Sequence, residues 1–287
     1  MSNQTPEGLR LQSEAGQEVR KNERMSKLRF IAIIPARYAS TRFPAKPLAI
    51  LGGKPVIQRV YEKVAPHVDM SVVATDDNRI YDAVTGFNGR VVMTSANHKS
   101  GTDRVKEAYD KVVEALGMEY DVVINVQGDE PFIDPRQIQA VKDCFMDAAT
   151  EIATLVKPFH AEDGLEALLN PNSPKVVVGK GGQALYFSRS VIPYLRGIPQ
   201  EEWLSRHTFF KHIGLYAYTP KALARITSMA QTPLELAESL EQLRWLENGI
   251  RIVVRQVDIE TVGIDTTEDL QRAEEFLTEI KRKKGSL

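Results

Sequence analysis

The sequence is poor in several features that mark particular classes of protein. It has one cysteine, Cys144, so no disulfide can form within the chain, and a reducing compartment such as the cytoplasm is expected. No apolar run approaches the roughly 20 residues that span a bilayer, so no membrane insertion is expected. The formal net charge of −1 argues against nucleic acid or an anionic membrane surface as the main partner.

What the chain contains is typical of a globular protein. Its 287 residues are 43% hydrophobic and 26% charged, enough to bury a large core without covalent staples. Residues 1–27 are polar, show no useful periodicity and do not resemble a secretory signal, which predicts a disordered extension.

The first half of the chain alternates apolar runs with helix-like segments. The runs "RFIAIIP", "DMSVVAT", "GRVVMT" and "YDVVINVQ" lack the alternation of half-exposed strands, so they predict strands buried on both faces. Helical patterns cover 54–65, 77–84 and 102–116. This alternation predicts an α/β fold with a doubly wound, mostly parallel sheet, over 28–150, whose ligands bind beyond the C-terminal ends of the strands.

The pattern changes after about residue 150. The runs "EIATLVKPF", "KVVVGKGGQALYFSRS" and "HIGLYAYTP" predict longer strands and hairpins in a smaller mixed subregion over 151–220, with one hairpin turn at Gly181-Gly182. Residues 221–287 return to the α/β style with a strand "RIVVRQV" and a last helix from about Thr267.

A strong helix is predicted over 233–249, with Thr232 as N-cap and Pro233 at the first position. Its apolar stripe would face the core and leave Glu241 and Gln242 at the flank. The residues of that stripe are Leu236, Leu240, Leu243 and Glu247.

The loop after the first strand gathers positive charge. The segment "IIPARYASTRFPAKP" carries Arg37, Arg42 and Lys46 within ten positions, but neither G-x-x-x-x-G-K-[ST] nor G-x-G-x-x-G. Such cations can be a solvated surface loop. Their position beyond a buried strand, with small residues such as Ser40 between them, favours binding of a polyphosphate.

Acidic residues follow a later strand in "NVQGDEP". Asp129 there can hold a hard cation such as Mg²⁺, which uses only one or two protein carboxylates beside substrate phosphates. Gly128 would permit close approach of the backbone to a ligand. The alternative is an ordinary acidic turn, because Gly-Asp is common turn chemistry.

Two further candidates stand at predicted helix starts. Asp265 in "TVGIDTTEDL" is either an N-cap or a metal ligand. In "HKSGTDR", Ser100 and Gly101 could donate N–H groups to an anion or a base, with Arg104 nearby, or Ser100 could simply cap the helix. The residues leave both pairs of alternatives open.

Seven segments together carry a resemblance to a known family. "IIPARYASTRFPAKPL", "SGTDR", "NVQGDEP", "ALYFSRS", "HIGLYAYT", "LEQLRWLENG" and "VGIDTTEDL" occur in the order and spacing typical of 3-deoxy-manno-octulosonate (Kdo) cytidylyltransferases. The resemblance spans 28–277 and implies a Rossmann-like nucleotidyltransferase. It implies the reaction of CTP with Kdo to CMP-Kdo and pyrophosphate, with Mg²⁺, for bacterial lipopolysaccharide assembly, by a homodimer whose interface could lie in 151–220.

The resemblance also assigns roles to residues. The set implied for the CTP triphosphate is Arg37, Ser40, Arg42 and Lys46. The set implied for the rest of the nucleotide is Ser100, Arg104 and Gln127, and the implied Mg²⁺ ligands are Asp129 and Asp265. The set implied for the sugar acid is Gln127, Arg189, His212, Tyr216, Glu241 and Gln242, with Arg189 pairing with the Kdo carboxylate.

The implied mechanism is direct displacement at the α-phosphorus by the anomeric hydroxyl of Kdo, with Arg37 and Lys46 stabilising the departing pyrophosphate and no dedicated general base. One position departs from the family pattern: Pro44-Ala45-Lys46 stands where Pro-Gly-Lys is frequent, which matters if that position has positive φ. Rival readings are a cytidylyltransferase for a sialic acid or an amino analogue of Kdo, and a catalytically silent nucleotide-binding module.

Overall fold

The computed structural model describes residues 27–39, 43–259 and 263–285, which form eleven strands and ten α-helices. The strands are β1 (Phe30–Ala36), β2 (Ile50–Leu51), β3 (Lys54–Pro55), β4 (Met70–Thr75), β5 (Val91–Met93), β6 (Val122–Asn125), β7 (Ile152–Pro158), β8 (Lys175–Val178), β9 (Ala184–Ser188), β10 (Phe210–Tyr218) and β11 (Val253–Gln256). The helices are α1 (Val56–Val64), α2 (Asn78–Gly86), α3 (Gly101–Leu116), α4 (Pro135–Cys144), α5 (Gly164–Leu169), α6 (Trp203–Arg206), α7 (Pro220–Thr227), α8 (Pro233–Glu238), α9 (Gln242–Glu247) and α10 (Thr267–Gly285).

One nine-stranded sheet organises the chain. Its strand order is β11-β7-β10-β6-β1-β4-β5, with β8 pairing beside β10 and β9 beside β8, while β2 and β3 form a separate two-stranded sheet. β1 pairs in parallel with β4 and β6, β4 with β5, and β7 with β11. The predicted α/β fold with a mostly parallel sheet is confirmed.

The central strand β1 is buried on both faces, as its unbroken apolar sequence predicts. Phe30, Ala32 and Ile34 belong to one hydrophobic core, and Ile31 and Ile33 belong to a second core on the opposite face. Successive side chains of a strand point to opposite faces, so a strand covered by helices on both sides needs apolar residues at every position.

The strands after residue 150 extend the main sheet. β10 is antiparallel to β6, β7 and β8, and β8 and β9 form the predicted hairpin, with Gly182 at φ 69° in its turn. The mixed part is therefore continuous with the parallel part through shared hydrogen bonds. The boundaries predicted at 150 and 220 stay predictions.

The single helix predicted over 233–249 is wrong. It is interrupted at Ser239, whose φ of 50° and ψ of 47° are left-handed, so α8 and α9 are separate helices. The predicted core stripe is wrong in part for the same reason: Leu240 and Leu243 are buried, but Leu236 is 61% exposed and Glu247 is also exposed.

The extension predicted over 1–27 lies outside the described residues except for Lys27. Within the part of the chain that the structure describes, no helix combines the length and the apolar character that a membrane span requires.

Candidate active site

Lys46 lies between the two carboxylates predicted as metal ligands. Its Nζ donates to Oδ2 of Asp129 at 2.5 Å and to Oδ1 of Asp265 at 3.0 Å. The lysine side chain is 12% exposed, whereas Asp129 and Asp265 are 30% and 46% exposed. Burial alone would lower the pKa of Lys46, but the two carboxylates outweigh it and raise the pKa above its usual value. The structure thus brings together a cation and two anions from three segments far apart in sequence.

Backbone contacts hold the two acidic loops together. The N–H of Ile264 donates to the carbonyl oxygen of Asp129 at 2.9 Å. Asp265 is not the cap of the helix that follows it, because Oγ1 of Thr266 accepts from the N–H of Asp269 and the Asp269 carboxylate accepts from the N–H of Thr266. Thr266 therefore caps α10, and the side chain of Asp265 faces Lys46.

The loop that presents Lys46 has a left-handed residue. Ala45 has φ 59° and ψ 16° and precedes a 3-10 helix at Lys46–Leu48. Its N–H donates to the carbonyl of Tyr38 at 3.0 Å, and its own carbonyl accepts from the N–H of Leu48 at 2.8 Å. Alanine thus occupies a conformation that glycine adopts more easily. The predicted phosphate ligands Ser40 and Arg42 lie outside the described residues.

Arg37 joins the first loop to the start of α3. Its Nη2 donates to the carbonyls of His98 at 3.0 Å and Ser100 at 3.1 Å. Burial, with the nearby charge of Arg104, lowers the pKa of Arg37. Arg37 also lines a cavity of about 340 Å³ together with Lys46 and the two carboxylates. Its position is compatible with the predicted contact to a phosphate.

Close packing explains the glycine of "NVQGDEP". A Cβ on Gly128 would lie 2.6 Å from the carbonyl oxygen of Pro35, so the chain after β6 packs directly on the end of β1. The glycine thus permits two segments of the protein backbone to pack closely together. The close approach of a ligand that the sequence suggested stays a prediction. Gln127 lines the same cavity, and its Nε2 donates to the carbonyl of Gly214 at 3.3 Å.

Ser100 caps α3, which is one of the two alternatives that its sequence context left open. Its Oγ accepts from the N–H of Asp103 at 3.1 Å, and its own N–H donates to the Asp103 carboxylate, a capping box at the start of α3. Ser100 also lines a second cavity, of about 480 Å³, while the next residue, Gly101, lines the first. The N-terminus of α3 therefore separates the two cavities.

Arg104 is fully buried and lines neither cavity. Its Nη1 donates to Oγ1 of Thr94 at 2.5 Å and its Nη2 to Oδ2 of Asp76 at 2.7 Å. Both of these partners are protein groups near the edge of the sheet. Asp76 was missed by the sequence reasoning, although it follows the strand "DMSVVAT" at the same sheet edge as Asp129 and so had the same positional signal.

Two of the residues predicted for the sugar acid, His212 and Tyr216, lie in β10. His212 contacts Oγ1 of Thr154 through Nε2 at 3.1 Å, and burial lowers the pKa of the imidazole to about 4, so it is neutral at pH 7. Its ring packs against Tyr216, whose ring in turn lies 5.2 Å from that of Trp245, centroid to centroid. Burial raises the pKa of Tyr216 well above its usual value.

Glu241 points into the larger cavity from the start of α9. Its Oε2 accepts from Thr102 at 2.7 Å and its Oε1 from Nη2 of Arg244 at 3.0 Å. Burial raises the pKa of Glu241, with those two donors opposing the shift. Gln242 is 5% exposed, and its Nε2 has no hydrogen-bond partner among the described residues. Its predicted contact with the sugar acid stays a prediction.

Arg189 is tied to the backbone of neighbouring segments. Its Nε donates to the carbonyl of Glu238 at 2.6 Å, its Nη1 to that of Pro171 at 3.0 Å and its Nη2 to that of Ser239 at 3.4 Å. Three of its five N–H groups are therefore used within the protein. Its pairing with a carboxylate of the substrate stays a prediction.

The acidic pair has the donor chemistry that magnesium prefers. No cluster of three or more His, Cys, Asp or Glu suited to a metal exists among the described residues, so Asp129 and Asp265 would supply two carboxylates. Mg²⁺ typically binds one or two protein carboxylates and completes its octahedron with water and substrate phosphates, so the residues present fit that ion.

A parallel α/β sheet with cations and carboxylates gathered at the C-terminal ends of its strands defines a nucleotide-binding protein of the nucleotidyltransferase type. Comparison with known proteins gives the particular family. The model of the cytidylyltransferase family matches residues 31–252. The 3-deoxy-manno-octulosonate cytidylyltransferases of Phocaeicola vulgatus and Bacteroides thetaiotaomicron are 66% and 62% identical over 250 residues, which is 87% of this chain and 98% of each relative.

A solved structure agrees with these sequence relatives. The structure of a CMP:2-keto-3-deoxy-manno-octonic acid synthetase complexed with CTP superimposes with a TM-score of 0.78 at 38% identity, over 88% of this chain and 99% of that one. The chain therefore belongs to the cytidylyltransferase family, among the 3-deoxy-manno-octulosonate cytidylyltransferases. A 4-diphosphocytidyl-2C-methyl-D-erythritol synthase from Anaerococcus prevotii, 12% identical with a TM-score of 0.53, shares the fold.

Proposed function

We infer that the protein transfers the cytidylyl group of CTP to Kdo, giving CMP-Kdo and pyrophosphate. The observation that carries this inference is the match over 88% of the chain to a synthetase solved with CTP, at 38% identity. The cavity beside Lys46, Arg37 and the two carboxylates lies where a doubly wound sheet binds its ligands. Its volume of about 340 Å³ falls within the usual range for small-molecule sites.

The cations of the smaller cavity suit the charge of the triphosphate. We assign Arg37 and Lys46 to the phosphates, where they would offset negative charge on the departing pyrophosphate. Phosphoryl transfer of this kind requires positioning and electrostatic stabilisation more than covalent chemistry, which agrees with the lack of an assigned nucleophile. Arg37 is already held by two carbonyls, so little side-chain freedom remains to be lost when a phosphate binds.

We propose Asp129 and Asp265 as the residues that hold Mg²⁺. When bound, such an ion polarises phosphate oxygens and lowers the pKa of a coordinated hydroxyl. The carboxylates currently pair with Lys46, so binding of the ion and movement of the ammonium toward the phosphates would accompany each other.

The larger cavity is the proposed seat of the sugar acid. Glu241 lines this cavity and can accept hydrogen bonds from hydroxyl groups. His212 does not line the cavity, and its neutral imidazole, which can donate or accept without bringing a charge, is assigned to the sugar acid by the family resemblance. Arg189 does not line this cavity, and it is assigned to the carboxylate through the N–H groups that make no hydrogen bond to the described residues. Ser100 lines the larger cavity and Gly101 lines the smaller one, so both would then lie near the reacting bond.

The wider context of the reaction is also a proposal. CMP-Kdo supplies a sugar acid to lipopolysaccharide assembly in bacteria, and we propose a cytoplasmic homodimer. The exposed Tyr194, at 72%, and Leu169, at 44%, both lie in the 151–220 region that we expect to supply the dimer interface. Sedimentation or light scattering over a concentration range tests that expectation, and a monomer at all concentrations would contradict it.

Pyrophosphate release tests the function directly. The wild-type protein should release pyrophosphate from CTP only with a sugar acid and Mg²⁺, faster with Kdo than with a sialic acid or the amino analogue of Kdo. Asp129→Asn should lower turnover by orders of magnitude while the protein stays folded. Preference for another sugar acid would overturn the choice of substrate. No release with any of them would favour the silent nucleotide-binding module.

A further inference from the structure

The bend between α8 and α9 decides where Glu241 and Gln242 point. Ser239 is left-handed, with φ 50° and ψ 47°, which costs a residue with a Cβ and persists only where the surroundings impose it. Two residues later, Glu241 stands at the start of α9 with its carboxylate on Thr102. A continuous helix through this segment would rotate both residues to other directions, since each helical residue turns by about 100°.

Two neighbouring side chains and one backbone N–H hold the bend from outside. The Glu238 carboxylate accepts from Oγ of Ser188 at 2.6 Å and from the backbone N–H of Arg189 at 2.9 Å. The guanidinium of Arg189 donates in return to the carbonyls of Glu238 and Ser239. The last residue of α8 and the left-handed residue after it are therefore bound by the end of β9, through four hydrogen bonds.

A buried cation lies in β8, the strand that pairs with β9. Lys175 in β8 is 0% exposed, and its Nζ donates to the carbonyl of Asn170 at 3.0 Å. Burial lowers the pKa of Lys175, and the charge of Glu238 opposes that shift, so the lysine lies near this carboxylate. Glu238 thus accepts two hydrogen bonds from the end of β9 and acts electrostatically on a buried lysine of β8.

We propose that Glu238 is a positioning residue for the sugar-acid site: with Ser188 and Arg189 it fixes the left-handed bend at Ser239 and so aims Glu241 into the larger cavity. The proposal rests on the assignment of that cavity to the sugar acid. It gives Arg189 a second role, because the same guanidinium that was assigned to a substrate carboxylate also holds the bend. Truncation of Glu238 should therefore affect the sugar acid and not CTP.

Steady-state kinetics of Glu238→Ala test the proposal. KM for Kdo should rise by about 10- to 100-fold, as expected for a misplaced binding group, while KM for CTP stays within about twofold. Glu238→Gln, which keeps an acceptor for the N–H of Arg189, should recover part of the loss. The matched control is Glu247→Ala, an exposed acid at the end of α9 whose Oε2 accepts, among the described residues, from the N–H of Leu234, and it should leave both constants unchanged.

A second measurement does not depend on turnover. Hydrogen exchange of peptides covering 235–247 should be faster in Glu238→Ala than in the wild type and in Glu247→Ala, because the bend loses its anchor. Unchanged exchange together with an unchanged KM for Kdo would overturn the proposal, and so would equal rises in both KM values, which indicate a general structural defect. A wild type inactive on Kdo would refute the function, whereas faster exchange in the variant would still support the anchored bend.

Discussion

Replacing Ala45 with glycine tests the backbone strain in the loop that presents Lys46. At φ 59° and ψ 16°, a residue with a Cβ pays roughly 1–2 kcal/mol. Glycine removes that strain but makes the unfolded chain more flexible, which costs about 0.4–1 kcal/mol. The difference leaves Ala45→Gly about 0.5–1 kcal/mol more stable than the wild type.

The surrounding hydrogen bonds should keep the loop in place after the change. The N–H and carbonyl of residue 45 are both used, on Tyr38 and Leu48, and neither bond needs the methyl group. Lys46 should therefore stay between its two carboxylates, and turnover should change little. Ala45→Val should lose stability, because a β-branched residue fits the left-handed region worse than alanine does.

Unfolding by urea and by heat measures the effect. We expect the melting temperature of Ala45→Gly to rise by about 1–4 °C. The control is Ala49→Gly at the other end of the same 3-10 helix, where φ is −57° and glycine relieves no strain, so added flexibility of the unfolded chain and the lost methyl contact with the core should make this variant less stable. If Ala45→Gly is destabilised as much as Ala49→Gly, the left-handed residue stores no strain and the reasoning fails.

Three further changes have expected outcomes. Gly128→Ala should destabilise by about 1–3 kcal/mol in urea, because its Cβ would meet the carbonyl of Pro35, whereas Gly86→Ala, with open space around it, should not. The His212 imidazole has a folded pKa of about 4 against the usual 6.5. Its contribution to the free energy of unfolding should therefore be fully present above pH 6.5 and fall by up to about 3 kcal/mol as the pH drops toward 4. A flat profile, or one unchanged in His212→Asn, would contradict that. In the absence of CTP, Lys46→Met should bind Mn²⁺ about tenfold more tightly than the wild type by calorimetry, because the ammonium of Lys46 competes with the ion for both carboxylates. Equal affinity of the two proteins would exclude that competition.

The parallel character of the sheet and the gathering of charged residues at one of its edges could be predicted because both follow from hydrophobic pattern. An unbroken apolar run such as that of β1 is stable only between two layers of helices. A helix between successive strands then returns the chain to the same end of the sheet, so the strands run parallel. Lys46 and Asp129 could be expected at one edge since each follows a parallel strand. The direct contacts of Lys46 with Asp129 and Asp265 depend on loop conformations that no local sequence pattern encodes.

The break at Ser239 could not be predicted for a related reason. The segment "PLELAESLEQLRWLENG" has high helix propensity and contains neither glycine nor proline between its first residue and Gly249, so every local signal favours one helix. The hydrogen bonds from Ser188 and Arg189 come from about 50 positions earlier in the chain. Tertiary contacts of this kind outweigh a propensity difference of a few tenths of a kcal/mol per residue.

The arginines show where residue type stops being informative. Arg104, predicted for the nucleotide pocket, is fully buried on Thr94 and Asp76, whereas Arg189 uses three N–H groups on carbonyls. A guanidinium has five donors, so holding the protein and facing a substrate are compatible for Arg189. The burial of Arg104 instead makes it a support for the strand ends. A substitution of Arg104 should therefore lower stability first, because the Asp76 carboxylate would lose its buried partner, and any effect on CTP would follow from that loss.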